Sequence, residues 1–290
     1  MSLSRETSAR ARLSVFLKGM AMGVADAVPG VSGGTIAVIT GIYEQLVNAL
    51  RRCNPMALSL LWKQGPRALW THIDGAFLLS LGLGILGSLL LMANLVLYLL
   101  EHHFMSVMAF FMGLVLASSW LLNKQVGIWS MMKVLLFCLG FAVTGLTALL
   151  NPAAGSDSLI YIFFSGLVAI CAMILPGISG AFILLLLGVY EYVLDALRDF
   201  NLSVIAIFAA GCAIGLLSFS HVLSLTFYYY REQTYAVLTG MLAASLIVLW
   251  PGNDLVATAG ISGQLIAVLL SVLGAAVIVL FARYTKAPEQ

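Results

Sequence analysis

The chain carries the same helix-breaking element twice. Residues 29–34 read PGVSGG and residues 176–181 read PGISGA, and each element interrupts an apolar stretch. Each is followed by a similar tail, GIYE at 41–44 and GVYE at 188–191, so that Glu44 corresponds to Glu191 at an offset of 147 residues. A duplicated Pro/Gly/Ser element within apolar sequence is typical of transporters whose site lies where two repeats meet.

Composition places this chain in a membrane. Of its 290 residues, 62% are hydrophobic and 9% are charged, whereas a soluble domain has about 25% charged residues. So few charges cannot cover so much apolar surface, and we predict an all-α polytopic membrane protein. The four cysteines are scattered, without a C-x-x-C pair, so neither a metal site nor a cofactor is expected.

Each half divides into five apolar segments, of which the first two are short. Residues 13–28 make about 24 Å of helix, against a hydrocarbon core of about 30 Å, and a Pro-Gly turn joins them to the next segment without a polar loop. This pattern predicts a re-entrant helical hairpin in each half, at 13–50 and 159–197, with one continuous helix as its outgoing arm. The remaining three segments of each half are long enough to span.

The repeat continues beyond the hairpins at a different offset. Gly113 and Ala117 correspond to Gly240 and Ala244, 127 residues further on. The change of offset places 20 extra residues of the first half within 52–74, a stretch with tryptophan and basic residues that predicts an interfacial insert. We therefore predict two repeats, at 1–150 and 151–290.

The distribution of basic residues predicts the orientation. An odd number of spans in each half inverts the second repeat relative to the first. With both termini in the cytoplasm, 13 of the 14 Lys and Arg residues lie inside and only Arg198 lies outside, as the positive-inside rule requires.

The two turns are candidate anion sites. Proline ends the incoming helix, and a serine is placed to cap the outgoing helix, whose first N–H groups lack intrahelical partners. Inverted hairpins bring both turns to the membrane midplane, where they would face one phosphate. The alternative is a tight turn whose glycines serve only close helix packing. The candidate phosphate-binding residues are Gly30, Ser32, Gly33, Gly34, Thr35, Gly177, Ser179 and Gly180.

Acidic residues near the turns are candidates for coupling and gating. Asp26 lies three residues before Pro29, where it would carry a coupling proton or accept hydrogen bonds from backbone freed by the broken helix. Glu44 and Glu191 would titrate at one face each, or would be solvated helix ends paired with Arg51 and Arg198. These two arginines are the candidate electrostatic residues.

Enzymatic motifs are missing from the sequence. It contains no phosphate loop with Gly-Lys-Ser/Thr and no nucleophile motif, which favours a transporter driven by an ion gradient. No nucleic-acid partner is expected.

The doubled motif resembles the bacterial polyprenyl-phosphate transporter family, long catalogued as a domain of unknown function. The resemblance rests on VPGVSGGT at 28–35 with GIYE at 41–44, echoed by LPGISG at 175–180. It implies an undecaprenyl-phosphate translocase of the bacterial inner membrane, which returns the lipid carrier to the cytoplasmic leaflet for cell-wall glycan synthesis. The second motif has Ala181 and Phe182 where the first has Gly34 and Thr35.

The sequence is also compatible with two functions other than lipid-phosphate transport. A transporter of a small soluble anion would use the same turns in an enclosed cavity, and a membrane enzyme acting on polyprenyl phosphate would need a cluster of His, Arg and Asp. The expected partners are undecaprenyl phosphate and membrane lipids, and a homo-oligomer is compatible with the sequence.

Overall fold

A computed structural model describes residues 9–26 and 32–285, and within these ranges the chain is helical with no strand. The predicted all-α class is confirmed. The helices are α1 (Ala9–Asp26), α2 (Gly33–Ile39), α3 (Tyr43–Arg52), α4 (Pro55–Gln64), α5 (Pro66–His72), α6 (Gly75–Val126), α7 (Met131–Thr147), α8 (Leu159–Ile174), α9 (Gly180–Leu186), α10 (Tyr190–Arg198), α11 (Leu202–Tyr229), α12 (Arg231–Val248), α13 (Asn253–Thr258) and α14 (Gly260–Thr285).

The outgoing arm of each hairpin is two short helices, so the prediction of one continuous helix was wrong. The breaks fall at Gly41 and Gly188, whose φ angles are 71° and 67°. Glycine adopts such angles without a steric penalty and commonly ends helices for this reason. The chain turns sharply at the second break, where α9 and α10 make an angle of 108°.

The long spans break at equivalent positions in the two halves. His103 (φ −136°, ψ 34°) divides α6 into two helices. Tyr230 (φ −136°, ψ 48°) separates α11 from α12. These positions differ by 127 residues, the same offset that relates Gly113 to Gly240 in the sequence.

Among the described residues, three helices are long and apolar enough to span a membrane, at Tyr98–Val126, Leu202–Tyr229 and Gly260–Leu280. Two bent pairs, Pro66–His72 with Gly75–Leu91 and α9 with α10, raise the number to as many as five. The predicted six spans exceed this range, partly because α7 has only 17 residues. The chain is a multi-pass membrane protein.

Glycines set the closest helix contacts. Helix α1 packs on α6, and α8 packs on α11 in the second half; α7 packs on α12, and α14 on α6. A methyl group added at Gly113 would lie 1.8 Å from the carbonyl oxygen of Ser271, and one at Gly240 would lie 2.0 Å from that of Phe137. Small residues of this kind let membrane helices approach closely.

The insert between the hairpin and the first span forms α4 and α5. Asn54 caps α4 by accepting a hydrogen bond from the N–H of Ala57 (3.1 Å), and prolines occupy the first position of both helices, where a missing N–H costs nothing. Trp62 is 84% exposed. An interfacial position stays a prediction for this insert.

Candidate functional site

The described part of the first Pro/Gly/Ser turn lies against the end of α8, which leads into the second turn. Ser32 caps α2, where its Oγ accepts from the N–H of Gly34 (3.1 Å). The same hydroxyl lies within donating distance of the carbonyl oxygens of Met173 (3.2 Å) and Leu175 (3.3 Å), at the end of α8. Ser32 is 1% exposed. The first turn therefore contacts the broken end of the second incoming helix, in the protein interior.

Two further side chains of the first half complete this contact. The N–H of Gly177 donates to Thr35 Oγ1 (3.1 Å), and the Tyr43 hydroxyl donates to the carbonyl oxygen of Ile174 (3.1 Å). Because α8 stops before Pro176, its last carbonyl groups have no intrahelical donors. Ser32 and Tyr43 supply these donors. Tyr43 was not among the predicted site residues. Its place in the GIYE tail, which recurs as GVYE, could have indicated a role at the site.

Asp26 is the last residue of α1, and its carboxylate lies beside the first residue of α2. Its Oδ1 accepts a hydrogen bond from the N–H of Gly33 (2.6 Å), so the structure shows the backbone-bonding role that was one of its two predicted roles. A methyl group added at Gly33 would lie 2.5 Å from Asp26 Oδ2, and one at Gly34 would lie 2.5 Å from the carbonyl oxygen of Ile174. Neither glycine position therefore has room for a side chain. This agrees with the alternative interpretation of the turn, in which the glycines serve close helix packing.

The second turn uses the same local devices. Gly177 has a φ of 90°, and Ser179 Oγ accepts from the N–H of Phe182 (3.5 Å) to cap α9. Gly180 packs close to the carbonyl oxygen of Ala169, which would lie 2.9 Å from an added methyl group. Gly30, the remaining predicted phosphate contact, lies outside the described residues.

Glu44 belongs to a polar group that sequence analysis did not find. Its Oε1 accepts from the Tyr235 hydroxyl (2.6 Å) and from Arg231 Nε (3.0 Å); we call these three residues the Glu44 cluster. The hydrogen bond to Glu44 raises the pKa of Arg231 above its ordinary value. The cluster joins the start of α3 to the start of α12.

The expected pairing of Glu44 with Arg51 was wrong. Arg51 Nη1 donates to Ser224 Oγ (3.0 Å), which in turn donates to Asn48 Oδ1 (2.7 Å). Arg51 lies at the opposite end of α3 from Glu44, so the two side chains reach different neighbouring helices. Sequence analysis had no signal for these partners, which lie far away along the chain.

The second half has no equivalent of the Glu44 cluster. Glu191 is exposed, and it makes no ion pair with any residue in the described ranges. Its expected partner Arg198 pairs with Asp195 instead (3.5 Å), three residues earlier on α10. The positions equivalent to Arg231 and Tyr235 are Phe104 and Met108, which cannot bind a carboxylate.

Glu44→Gln is expected to lower the melting temperature by up to about 3 °C at low salt, because an ion pair this exposed contributes about 0.2–1 kcal/mol. Glutamine keeps an oxygen for the Tyr235 hydroxyl and removes only the charge. The difference should shrink with added salt, because salt screens an exposed ion pair. Melting curves at two salt concentrations measure it. Glu191→Gln is the matched control, and equal shifts in both variants would contradict the ion-pair account.

Metal binding has no support in the described ranges. No three His, Cys, Asp or Glu side chains there are grouped closely enough to hold one ion.

Comparison with known proteins places this arrangement in a family. A family model described as undecaprenyl phosphate translocase-like matches residues 22–264. A Vibrio cholerae protein named polyprenyl-phosphate transporter is 45% identical over 242 residues, which cover 83% of this chain and 79% of that protein. A Staphylococcus aureus protein of the same name is 30% identical over 254 residues, covering 81% and 85%. No solved structure matches.

The family match runs through both Pro/Gly/Ser turns and every helix from α2 to α13. It therefore includes the contact between the first turn and the end of α8 as well as the Glu44 cluster. On this extent and identity, the chain belongs to the undecaprenyl phosphate translocase-like family.

Proposed function

We propose that this protein transports undecaprenyl phosphate from the outer to the cytoplasmic leaflet of the bacterial inner membrane, driven by an ion gradient, and so recycles the carrier for cell-envelope glycan synthesis. The observation that carries the proposal is the meeting of the two serine turns in the protein interior. The names of the two relatives supply the substrate class. A lipid phosphate needs shelter only for its headgroup, since its tail stays in hydrocarbon.

The proposed architecture is two inverted repeats, 1–150 and 151–290, each with a re-entrant hairpin. Matching glycine contacts support it. Gly19 and Gly84 bring α1 close to α6, and Gly166 and Gly211 bring α8 close to α11; the members of the second pair follow those of the first at offsets of 147 and 127. Transport then proceeds by movement of one repeat against the other around the two turns.

The proposed phosphate site is formed by groups that bond to each other in this structure. Ser32 Oγ bonds to the carbonyl oxygen of Met173, and the N–H of Gly177 donates to Thr35 Oγ1, so these groups are paired with each other across the contact. In the proposed cycle the turns separate and these groups bind the phosphate oxygens instead. Gly30, Gly33, Gly34, Ser179 and Gly180 complete the two half-sites.

Asp26 is the proposed coupling residue. Its carboxylate accepts from the N–H of Gly33, a donor that a phosphate oxygen would also use, and both ligands carry negative charge. Protonation of Asp26 removes that charge and weakens its hydrogen bond to the N–H, so uptake of a proton favours binding of phosphate at the first turn.

Glu44 and Glu191 are the proposed gating residues at the two faces, with Arg51 and Arg198 as neighbouring positive charges.

The experiment is a leaflet-exposure assay for undecaprenyl phosphate in cells that depend on this protein. Ser32→Ala combined with Ser179→Ala is expected to slow return of the carrier about tenfold or more, because a hydrogen bond to a charged group contributes about 1.5–3 kcal/mol. Labelled carrier should accumulate at the outer face.

Ser218→Ala is the matched control, because Ser218 is exposed on α11 and bonds only within its own helix. Protein abundance is measured for each variant, since the double variant also loses two helix caps, each worth about 1 kcal/mol. Normal recycling by an abundant double variant would refute the assignment of the site.

A further inference from the structure

An apolar hollow lies beside the first hairpin. It has a volume of about 390 Å³ and is open on one side; we call it the lateral groove. Its walls come from the first half of α1, the end of α2 and the α6–α14 contact. Leu13 and Leu17 form an exposed part of the wall, at 57% and 55% exposure. The lining residues are Leu13, Ser14, Leu17, Lys18, Ala21, Ile36, Ile39, Thr40, Leu114, Val277 and Ile278.

The lining fits a branched hydrocarbon. Thr40 keeps its hydroxyl bonded to the carbonyl oxygen of Ile36 within its own helix (2.8 Å), so it does not demand a polar ligand. An apolar cavity of about 150 Å³ holds one benzene. The lateral groove thus has room for about two five-carbon units, and a longer chain would leave through the open side.

The lining also carries one positive charge, on Lys18. Lys18 lies eight residues before Asp26 on α1, which is about 12 Å along the helix. With the N-terminus in the cytoplasm, Lys18 and the groove belong to the cytoplasmic half of the membrane. A cation beside an apolar groove complements a molecule that joins a phosphate to a hydrocarbon chain.

We propose that the lateral groove binds the first two isoprene units of the lipid phosphate in the cytoplasmic leaflet, with the phosphate at Lys18. This inference rests on the proposed function and adds a second subsite to it, distinct from the serine turns. The lipid passes from the turns to this groove before it enters the leaflet. Recognition of the tail therefore concerns the units next to the phosphate, and the rest of the chain stays in the bilayer.

The test measures binding of short prenyl phosphates to the full-length protein in detergent. Geranyl phosphate has two isoprene units and dimethylallyl phosphate has one, and geraniol lacks the phosphate. Wild-type protein is expected to bind geranyl phosphate at least about tenfold more tightly than dimethylallyl phosphate, since burial of each added carbon contributes toward affinity.

Two substitutions separate the tail from the headgroup. Ala21→Phe fills the groove, and it should remove the advantage of geranyl over dimethylallyl phosphate. Lys18→Met should weaken both phosphates by a similar factor, about tenfold, and leave geraniol unchanged. Ala213→Phe, the same change at an exposed position of α11 outside the groove, is the matched control and should bind like the wild type.

Leu17→Trp is a second groove-filling variant, at a position exposed enough to accept the larger ring. If melting curves show that Ala21→Phe is unfolded, the preference for geranyl phosphate is measured in Leu17→Trp instead. Equal preference for geranyl phosphate in wild type and in a folded groove-filling variant would overturn the inference while leaving the proposed function intact. Failure of wild-type protein to bind any prenyl phosphate would instead count against the proposed function.

Discussion

Replacing Gly84 with alanine is expected to lower the melting temperature of the purified protein by about 5–10 °C, because overpacking costs about 1–3 kcal/mol or more. The added methyl group would lie 2.2 Å from the carbonyl oxygen of Phe16 and 2.9 Å from the amide nitrogen of Met20. Both neighbours are backbone atoms of α1, so relief requires the two helices to separate.

Gly87 provides the matched control one turn further along α6. No atom lies within 4 Å of a methyl group added there, and alanine favours a helix over glycine by about 1 kcal/mol. Gly87→Ala should therefore raise the melting temperature slightly. Thermal unfolding of both variants in one detergent measures the difference, and shifts of the same sign would show that α1 and α6 do not pack as described.

Lys133→Met is expected to lower the melting temperature by about 5 °C or more. Lys133 Nζ donates to the carbonyl oxygens of Val126 and Ile128 (2.8 Å each) and pairs with Glu232. Its side chain is only 9% exposed. Methionine fills similar space but leaves the buried carbonyl oxygen of Val126, at the end of α6, without this donor, and an unsatisfied buried acceptor costs about 1–3 kcal/mol.

Lys124→Met is the control for this prediction. Lys124 is an exposed lysine on the last turn of α6, stacked 3.6 Å over the ring of Trp120, a contact that contributes about 0.5–1 kcal/mol at exposed sites. Melting curves of the two variants compare a buried lysine that binds the end of α6 with an exposed lysine on the last turn of α6. A loss of stability at Lys124 as large as that at Lys133 would contradict the capping role.

Helix breaks followed from local sequence in most places. Pro176 ends α8, and Ser32 and Ser179 cap the helices they were expected to cap. The breaks at Gly41 and Gly188 were missed because the apolar stretches continue through them. Glycine tolerates positive φ and commonly ends helices, so these two residues could have indicated the breaks. The prediction relied on hydrophobicity alone.

Partner choice at the site was not predictable in the same way. Glu44 and Arg51 share a helix, yet Glu44 binds Arg231 and Tyr235, nearly 190 residues later. The bonds of Ser32, Thr35 and Tyr43 to the end of α8 span more than 130 residues. Sequence analysis placed the two turns together but did not specify which groups bond.

The sequence by itself determined that this protein lies in a membrane, that it carries the Pro/Gly/Ser motif twice, and where most of its helices start and stop. Those properties depend on composition and on the backbone preferences of nearby residues, which act wherever the chain goes. Only the tertiary structure decided which carbonyl oxygens Ser32 and Tyr43 reach, which cation holds Glu44, and that a groove opens beside α1. These features depend on side-chain contacts between helices that are far apart in the sequence. Packing sets the distances between such helices, and the residues near each contact do not reveal its partner.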